Sequence, residues 1–276
     1  MDKIELFGCP VDSLNLDQTV RRIEVFIRKR EPRRHSALNA AKIVRMRKDE
    51  SLRQIVEASD VVSADGQSVV WASRLLGKPL PERVAGIDLM QKLLRMAETR
   101  GYRIYLLGGT EEVVIKLKEV LGRQHPGLNI VGWRNGYFSS REEDDIVEEI
   151  NAKGPDILFV GMSTPKKEYF LGKYKGRLRV PFCMGVGGSF DVLSGKSKRA
   201  PYIMRRMGLE WFYRFVQEPT RLWKRYLTTN TLFLFYLLQE RIRQSPRRKT
   251  PFTRARECRS DHHDPVSSGA SGNLSG

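Results

Sequence analysis

The chain has 276 residues, enough for one α/β domain of roughly 200 residues and a smaller appendage. Hydrophobic residues make up 40% and charged residues 29%, which excludes wholesale disorder, and no stretch reaches the roughly 18 apolar residues of a spanning helix, so contact with a membrane is expected but not passage through it. The formal net charge of +17 asks for an anionic partner, whether nucleic acid, anionic lipid or a phosphate-bearing substrate.

At the N-terminus, Met1 to Pro10 lacks the apolar run of a secretory signal. Cys9, Cys183 and Cys258 are scattered, odd in number and without metal-ligand spacing, so a reducing compartment and no structural metal are expected. Helical periodicity covers residues 16–29, and a strand over 36–39 ends in Asn39. A helix is predicted over 42–58 and a strand over 60–63, which runs into Ala64-Asp65-Gly66. In that turn Asp65 has two readings: a general base facing a cleft, or the more usual helix cap. Arg83 precedes a helix over 87–99 and suits either a phosphate or a sugar carboxylate, with a surface ion pair as its commoner fate.

The strand at 102–108 runs into Gly108-Gly109-Thr110 and a helix over 111–124, a turn that either cradles a phosphate on bare N–H groups or simply needs glycine angles. A strand at 129–132 leads to Tyr137 and to a helix over 141–152, whose acidic start at Glu142 to Asp145 complements the helix dipole. Strand 156–161, helix 166–174 and strand 181–185 follow. Gly185 to Asp191 has the first two glycines of a dinucleotide fingerprint, but Phe190 replaces the third. A loop in which Gly187, Phe190 and Asp191 hold a nucleotide base fits as well as close loop packing. Alternating strands and helices give an α/β fold, with a Rossmann-like, mostly parallel sheet flanked by helices and a crevice at the strands' carboxyl ends.

After Pro201 the chain turns basic and aromatic, with helices over 203–216 and 219–243. Residues 201–250 hold eleven Lys and Arg against three Glu. Trp211, Phe212, Tyr213, Trp223 and Tyr226 interleave with Arg214, Arg221, Lys224 and Arg225, which suits a membrane interface; a solvated basic face and nucleic-acid binding are the alternatives. Residues 1–200 are read as the catalytic domain, 201–244 as a membrane-associating helical appendage and 245–276 as a disordered tail.

The ordered strings Ser63-Ala64-Asp65-Gly66, Arg83-Val84-Ala85-Gly86-Ile87-Asp88-Leu89, Leu106-Leu107-Gly108-Gly109, Asn135-Gly136-Tyr137-Phe138, Gly161-Met162-Ser163-Thr164-Pro165-Lys166-Lys167-Glu168, Gly185 to Asp191, Arg199-Ala200-Pro201, Leu209 to Arg214 and Glu218 to Arg221 resemble the successive motifs of the WecG/TagA/CpsF glycosyltransferases. The resemblance implies an inverting, metal-independent enzyme without other cofactors. It would move a hexose derivative (N-acetylmannosamine, uronic acid or glucose class) from a UDP-sugar to a polyprenyl-diphosphate-linked acceptor at the inner face of the cell membrane, in teichoic acid or surface polysaccharide synthesis. It assigns the base to Asp65 and UDP contacts to Gly108, Gly109, Tyr137, Gly187 and Asp191; Asn39 and Lys167 are taken as further catalytic candidates, and Phe190 and Arg83 as further UDP contacts. Arg214, Arg221 and Arg225 are assigned to lipid diphosphate and membrane.

Two positions depart from the family pattern: Lys167 stands where Gln is common, and Ala37 where some members have Thr. The partners expected are a UDP-sugar, the lipid-linked acceptor and an anionic membrane surface rather than nucleic acid; association with a second subunit is left open. The chain lacks an Asp-x-Asp pair, so charge on the departing UDP would fall to loop N–H groups and Arg. Competing functions are a nucleotide-cofactor oxidoreductase and a non-enzymatic basic protein for lipid or nucleic acid.

Overall fold

The computed structural model describes residues 3–244 except Glu218, with the side chains of Arg206, Arg214, Arg221, Leu222, Lys224, Arg225 and Gln244 outside the described set. The predicted tail lies outside it as well. The chain opens with an antiparallel hairpin of β1 (Lys3–Leu6) and β2 (Cys9–Asp12), which the sequence reading does not contain. Strands this short, one of them holding Pro10, leave little periodic signal.

Six further strands, β3 (Arg33–Leu38), β4 (Val61–Ala64), β5 (Arg103–Gly108), β6 (Asn129–Arg134), β7 (Ile157–Gly161) and β8 (Phe182–Gly185), form one parallel sheet in the order β4-β3-β8-β7-β5-β6. These are the six strands predicted. Leu106, Ile157, Phe159, Phe182 and Met184 pack against α1 (Leu16–Lys29), α5 (Gly86–Arg100) and α6 (Glu111–Gln124) on one face. On the other, Tyr105, Leu107, Leu158 and Val160 meet α7 (Glu143–Lys153) and α8 (Lys166–Lys173). Burial on both faces explains why these strands read as continuous apolar runs.

The connection after β5 leads outward to β6, whereas the one after β7 leads the opposite way to β8. Right-handed crossovers therefore put α6 and α8 on opposite faces, and the crevice opens beyond the carboxyl ends of β5 and β7.

The predicted helix over 42–58 is two helices, α2 (Ala40–Met46) and α3 (Glu50–Glu57), because Asp49 caps the second by accepting from Leu52 N at 3.0 Å. Likewise the predicted 203–216 helix divides into α10 (Tyr202–Arg206) and α11 (Glu210–Gln217) around Gly208, whose φ of 73° a helix cannot contain. The last helix, α12 (Pro219–Gln244), packs on α2, burying Phe233 and Leu237 with Phe7, Ile43 and Leu76. No helix among the described residues is long and apolar enough to cross a membrane.

Candidate active site

Asp65 follows β4 directly, and its backbone N–H bonds to Leu38 O, tying the ends of β3 and β4 together. It does not cap the adjoining α4 (Gln67–Leu75), whose N-cap Gly66 has no side chain. Instead its Oδ1 accepts the N–H of Gly86 at 3.0 Å, across the turn at the start of α5, where Ala85 offers no cap of its own. The capping role weighed from sequence is thus real but serves a different helix. Oδ2 takes no hydrogen bond from the described residues, and the half-buried carboxylate retains one free oxygen. Asn39 stands beside this turn: a Cβ on Gly66 would lie 3.4 Å from Asn39 Cβ. The amide oxygen of Asn39 is committed to capping α2 through Lys42 N at 3.0 Å.

Next to the turn is a buried charge cluster. Glu168 Oε1 accepts from Lys42 Nζ and Lys167 Nζ, both at 2.7 Å, and these three side chains are 4%, 9% and 4% exposed for Lys42, Lys167 and Glu168. Lys167 also donates to Thr164 Oγ1, and its methylene stem lies over Gly185, where a Cβ would come within 2.9 Å of it. Burial opposes the charge on Glu168, but the two ammonium groups overcome it and hold the carboxyl below its usual range. Burial and repulsion from Lys42 push Lys167 down to about 8, against attraction from Glu168 and Asp65. His35, on β3 beneath them, bonds Ser63 Oγ at 2.8 Å; burial and Lys42 hold it at about 3, so it is neutral. The group carries two cations and one anion. A cavity of about 10 Å³ among His35, Ala37, Lys42, Lys167, Glu168 and Gly185 has room for about one water, not a sugar.

Across the switch point the glycines bring strand ends into contact. Gly108 has φ 136°, and a Cβ there would lie 2.5 Å from the backbone of Gly161; Gly109, at φ 71°, donates to Gly161 O at 3.0 Å. Gly136 N–H in turn reaches Gly109 O at 2.9 Å, placing Tyr137 at the rim, where the residue is 78% exposed. The first turn of α6 already holds Glu111 and Glu112, and Thr110 caps it, so its dipole is complemented from within. Gly187 adopts φ 53° ahead of the short α9 (Ser189–Leu193). Asp191 is half-buried and its carboxylate has no hydrogen bond or ion pair among the described residues. Phe190 corrects the sequence reading: it is fully buried against Gly161 and Gly109, supporting the glycine loops from below, and its ring does not reach the crevice.

Arg83 pairs with Glu210 at the start of α11 at 3.2 Å, both 14% exposed, which ties the segment after residue 200 to the loop preceding α5. Arg199 pairs with Asp88 in the first turn of α5 at 2.7 Å, with Arg205 3.9 Å from the same oxygen. The side chains of Arg214, Arg221 and Arg225 lie outside the described residues.

The chain is similar to proteins of one known family. The model of the Glycosyl transferase WecG/TagA/CpsF family matches residues 4–247. The chain belongs to that family. Among its relatives are proteins named N-acetylglucosaminyldiphosphoundecaprenol N-acetyl-beta-D-mannosaminyltransferase. The one from Bacillus spizizenii is 36% identical over 70% of this chain and 74% of its own, and that from Bacillus subtilis 34% over 72% and 76%. The Staphylococcus aureus protein (strain MW2) is 32% identical over 81% of this chain and 86% of its own. This WecG/TagA/CpsF member is therefore a glycosyltransferase, and the oxidoreductase and non-enzymatic alternatives fall away.

The fold brings Asp65, Asn39 and Lys167 to one end of the sheet, and Gly108, Gly109, Tyr137, Gly187 and Asp191 to loops along the same edge. Sequence reasoning missed Lys42 and the pairing role of Glu168. One signal was available: Lys42 is a cation in the first turn of a helix without acidic residues there, a place the dipole disfavours unless a carboxylate lies opposite.

Proposed function

We propose that the enzyme transfers a hexose derivative, of the N-acetylmannosamine, uronic acid or glucose class, from a UDP-sugar to a polyprenyl-diphosphate-linked acceptor, with inversion and without a metal. The observation that carries this reading is the Asp65 carboxylate at the carboxyl edge of the sheet: one oxygen is pinned by the Gly86 N–H, and the other takes no hydrogen bond from the described residues. A carboxylate so held is oriented to take the proton of an acceptor hydroxyl as it attacks the anomeric carbon. The names of the relatives supply the lipid-diphosphate acceptor, and the absence of an Asp-x-Asp pair in the chain supports metal independence.

Asp191, half-buried and without a hydrogen bond or ion pair among the described residues, suits hydrogen bonding to the base or ribose of UDP, and exposed Tyr137 suits stacking on the base. Asn39 supports the Asp65 turn rather than contacting substrate. The exposed Trp211, Phe212, Trp223, Leu234, Phe235 and Leu238 favour peripheral attachment to an anionic membrane, where the lipid-linked acceptor resides.

A panel of UDP-sugars, a short lipid-linked acceptor and anomeric analysis of the product test the reading. Transfer that persists with excess chelator and gives the inverted linkage supports it; a requirement for added divalent metal, or retention, overturns the mechanism.

A further inference from the structure

Tyr137 is fastened through its backbone and left open at its side chain. Three elements hold the loop at 135–138 that follows β6. Gly136 N–H donates to Gly109 O at 2.9 Å, beyond β5, and Asn135 Nδ2 donates to Glu111 Oε2 at 2.7 Å, in the first turn of α6. From α8, Lys166 Nζ donates to Gly136 O at 2.8 Å and to Phe138 O at 3.4 Å, and lies 4.4 Å from the centroid of the Phe138 ring. That ring in turn meets buried Phe170 edge-on, with centroids 5.9 Å apart. The peptide unit that enters Tyr137 is therefore bonded at both ends: its carbonyl accepts from Lys166, and its N–H donates to Asn135 Oδ1 at 2.9 Å. Of the four residues in the loop, Tyr137 alone is exposed.

Lys166 stands in an unfavourable place for a cation. It is the first residue of α8, where the helix dipole opposes positive charge, and Pro165 before it supplies no side-chain cap. Glu168 in the same turn pairs with Lys42 and Lys167, and Lys166 has no carboxylate partner among the described residues. Its ammonium is spent instead on the two carbonyls that flank Tyr137 and on the face of Phe138. Fastening of this kind serves a stacking surface: a ring whose backbone is fixed before the ligand arrives gives up less conformational freedom on binding.

We propose that Lys166 is a positioning residue for the donor, holding the backbone of Tyr137 so that its ring stands ready to stack on the base of UDP. This rests on the reading of the donor as a UDP-sugar with Tyr137 beneath its base. Lys166 acts through the loop and not on the nucleotide. Stacking on the base is the same in the ground state and in the transition state, so loosening the loop raises KM for the donor and UDP dissociation together and is not felt in kcat.

The test is a double-mutant cycle on the full-length chain, read by calorimetric titration with UDP and by steady-state rates with the UDP-sugar that the panel above selects. Tyr137→Ala is expected to weaken UDP about tenfold or more, the scale of one base-stacking contact. Lys166→Met is expected to weaken UDP by about 3- to 10-fold, the scale of one hydrogen bond, with the same factor in KM. Added to Tyr137→Ala, Lys166→Met weakens UDP no further, a dependence that a merely structural lysine does not produce. Lys166→Arg, which keeps a cation and N–H donors over Phe138, retains most of the affinity. Asn135→Ala frees the other end of the same peptide and is expected to reproduce the loss seen in Lys166→Met, in a chain that leaves Lys166 in place. Unchanged UDP affinity in Lys166→Met, with Tyr137→Ala weakened, overturns the inference alone. So does a further loss when Lys166→Met is added to Tyr137→Ala, which would put the ammonium on the nucleotide itself. Wild-type affinity in Tyr137→Ala removes the stacking reading and the inference together, and failure of the wild-type chain to bind UDP removes the donor reading as well.

Discussion

Replacing Asp65 by Asn separates the two tasks of its side chain. Oδ1 accepts the Gly86 N–H at 3.0 Å, and Asn keeps a carbonyl oxygen for that bond. Asn and Asp are close to equivalent at helix starts, so Asp65→Asn is expected to change stability by less than about 0.5 kcal/mol, whereas Asp65→Ala uncaps α5 and costs about 1 kcal/mol. An amide cannot take up the acceptor proton. Loss of a general base lowers turnover by about 10² to 10⁴, or about 2.7 to 5.5 kcal/mol of barrier. Urea melts of the three chains give the stability order, and release of UDP in the presence of a lipid-linked acceptor gives the rates. Turnover of Asp65→Asn within tenfold of wild type, in a chain that melts normally, would refute the assignment of the base. Equal stability of the Asn and Ala variants would refute the capping bond.

Three other outcomes are expected. Gly108→Ala forces a side chain into a φ of 136° and a Cβ to 2.5 Å from Gly161; backbone strain and overpacking together predict a loss of about 3 to 5 kcal/mol by urea melt. Glu168→Gln leaves two buried lysines without a carboxylate and is expected to cost about 3 to 5 kcal/mol, checked the same way. Leu234→Glu with Leu238→Glu, both on exposed positions of α12, should abolish binding to anionic vesicles in a flotation assay while leaving the melt unchanged. Substitution is preferable to cutting the chain after residue 200, because Phe233 and Leu237 of α12 belong to the core.

The sheet was legible because its strands, buried on both faces, write continuous apolar runs such as Ile104 to Leu107 and Ile157 to Val160. Helix interruptions were less so. Asp49 and Gly208 break helices through one cap and one left-handed residue, signals that periodicity overrides when the flanking segments share its phase. At the site, the Asp65 turn was visible as an acid at a strand end, but its partner Gly86 lies beyond a whole helix, and only tertiary structure brings the two together. Phe190 shows the opposite failure: an aromatic among glycines suggested a ligand surface, yet its ring is buried beneath Gly161 of the neighbouring strand, where a Cβ would lie 2.4 Å from it. The Lys42–Glu168 pair joins distant segments and left only a faint trace, a misplaced cation in the first turn of a helix.

The charge of the chain also takes on a different meaning once its cations are placed. A net +17 suggested anions wherever the arginines lie. Around the crevice, however, Arg83 is matched by Glu210, while Arg199 and Arg205 converge on Asp88; these guanidinium groups hold the segment after residue 200 against the start of α5. They act first as fasteners. Lys167 differs because it shares the Glu168 carboxylate with Lys42, and the charge of Asp65 is the second anion that favours its ammonium. The overall excess therefore comes from cations on the surface, because these buried and half-buried ones are matched by carboxylates within the protein.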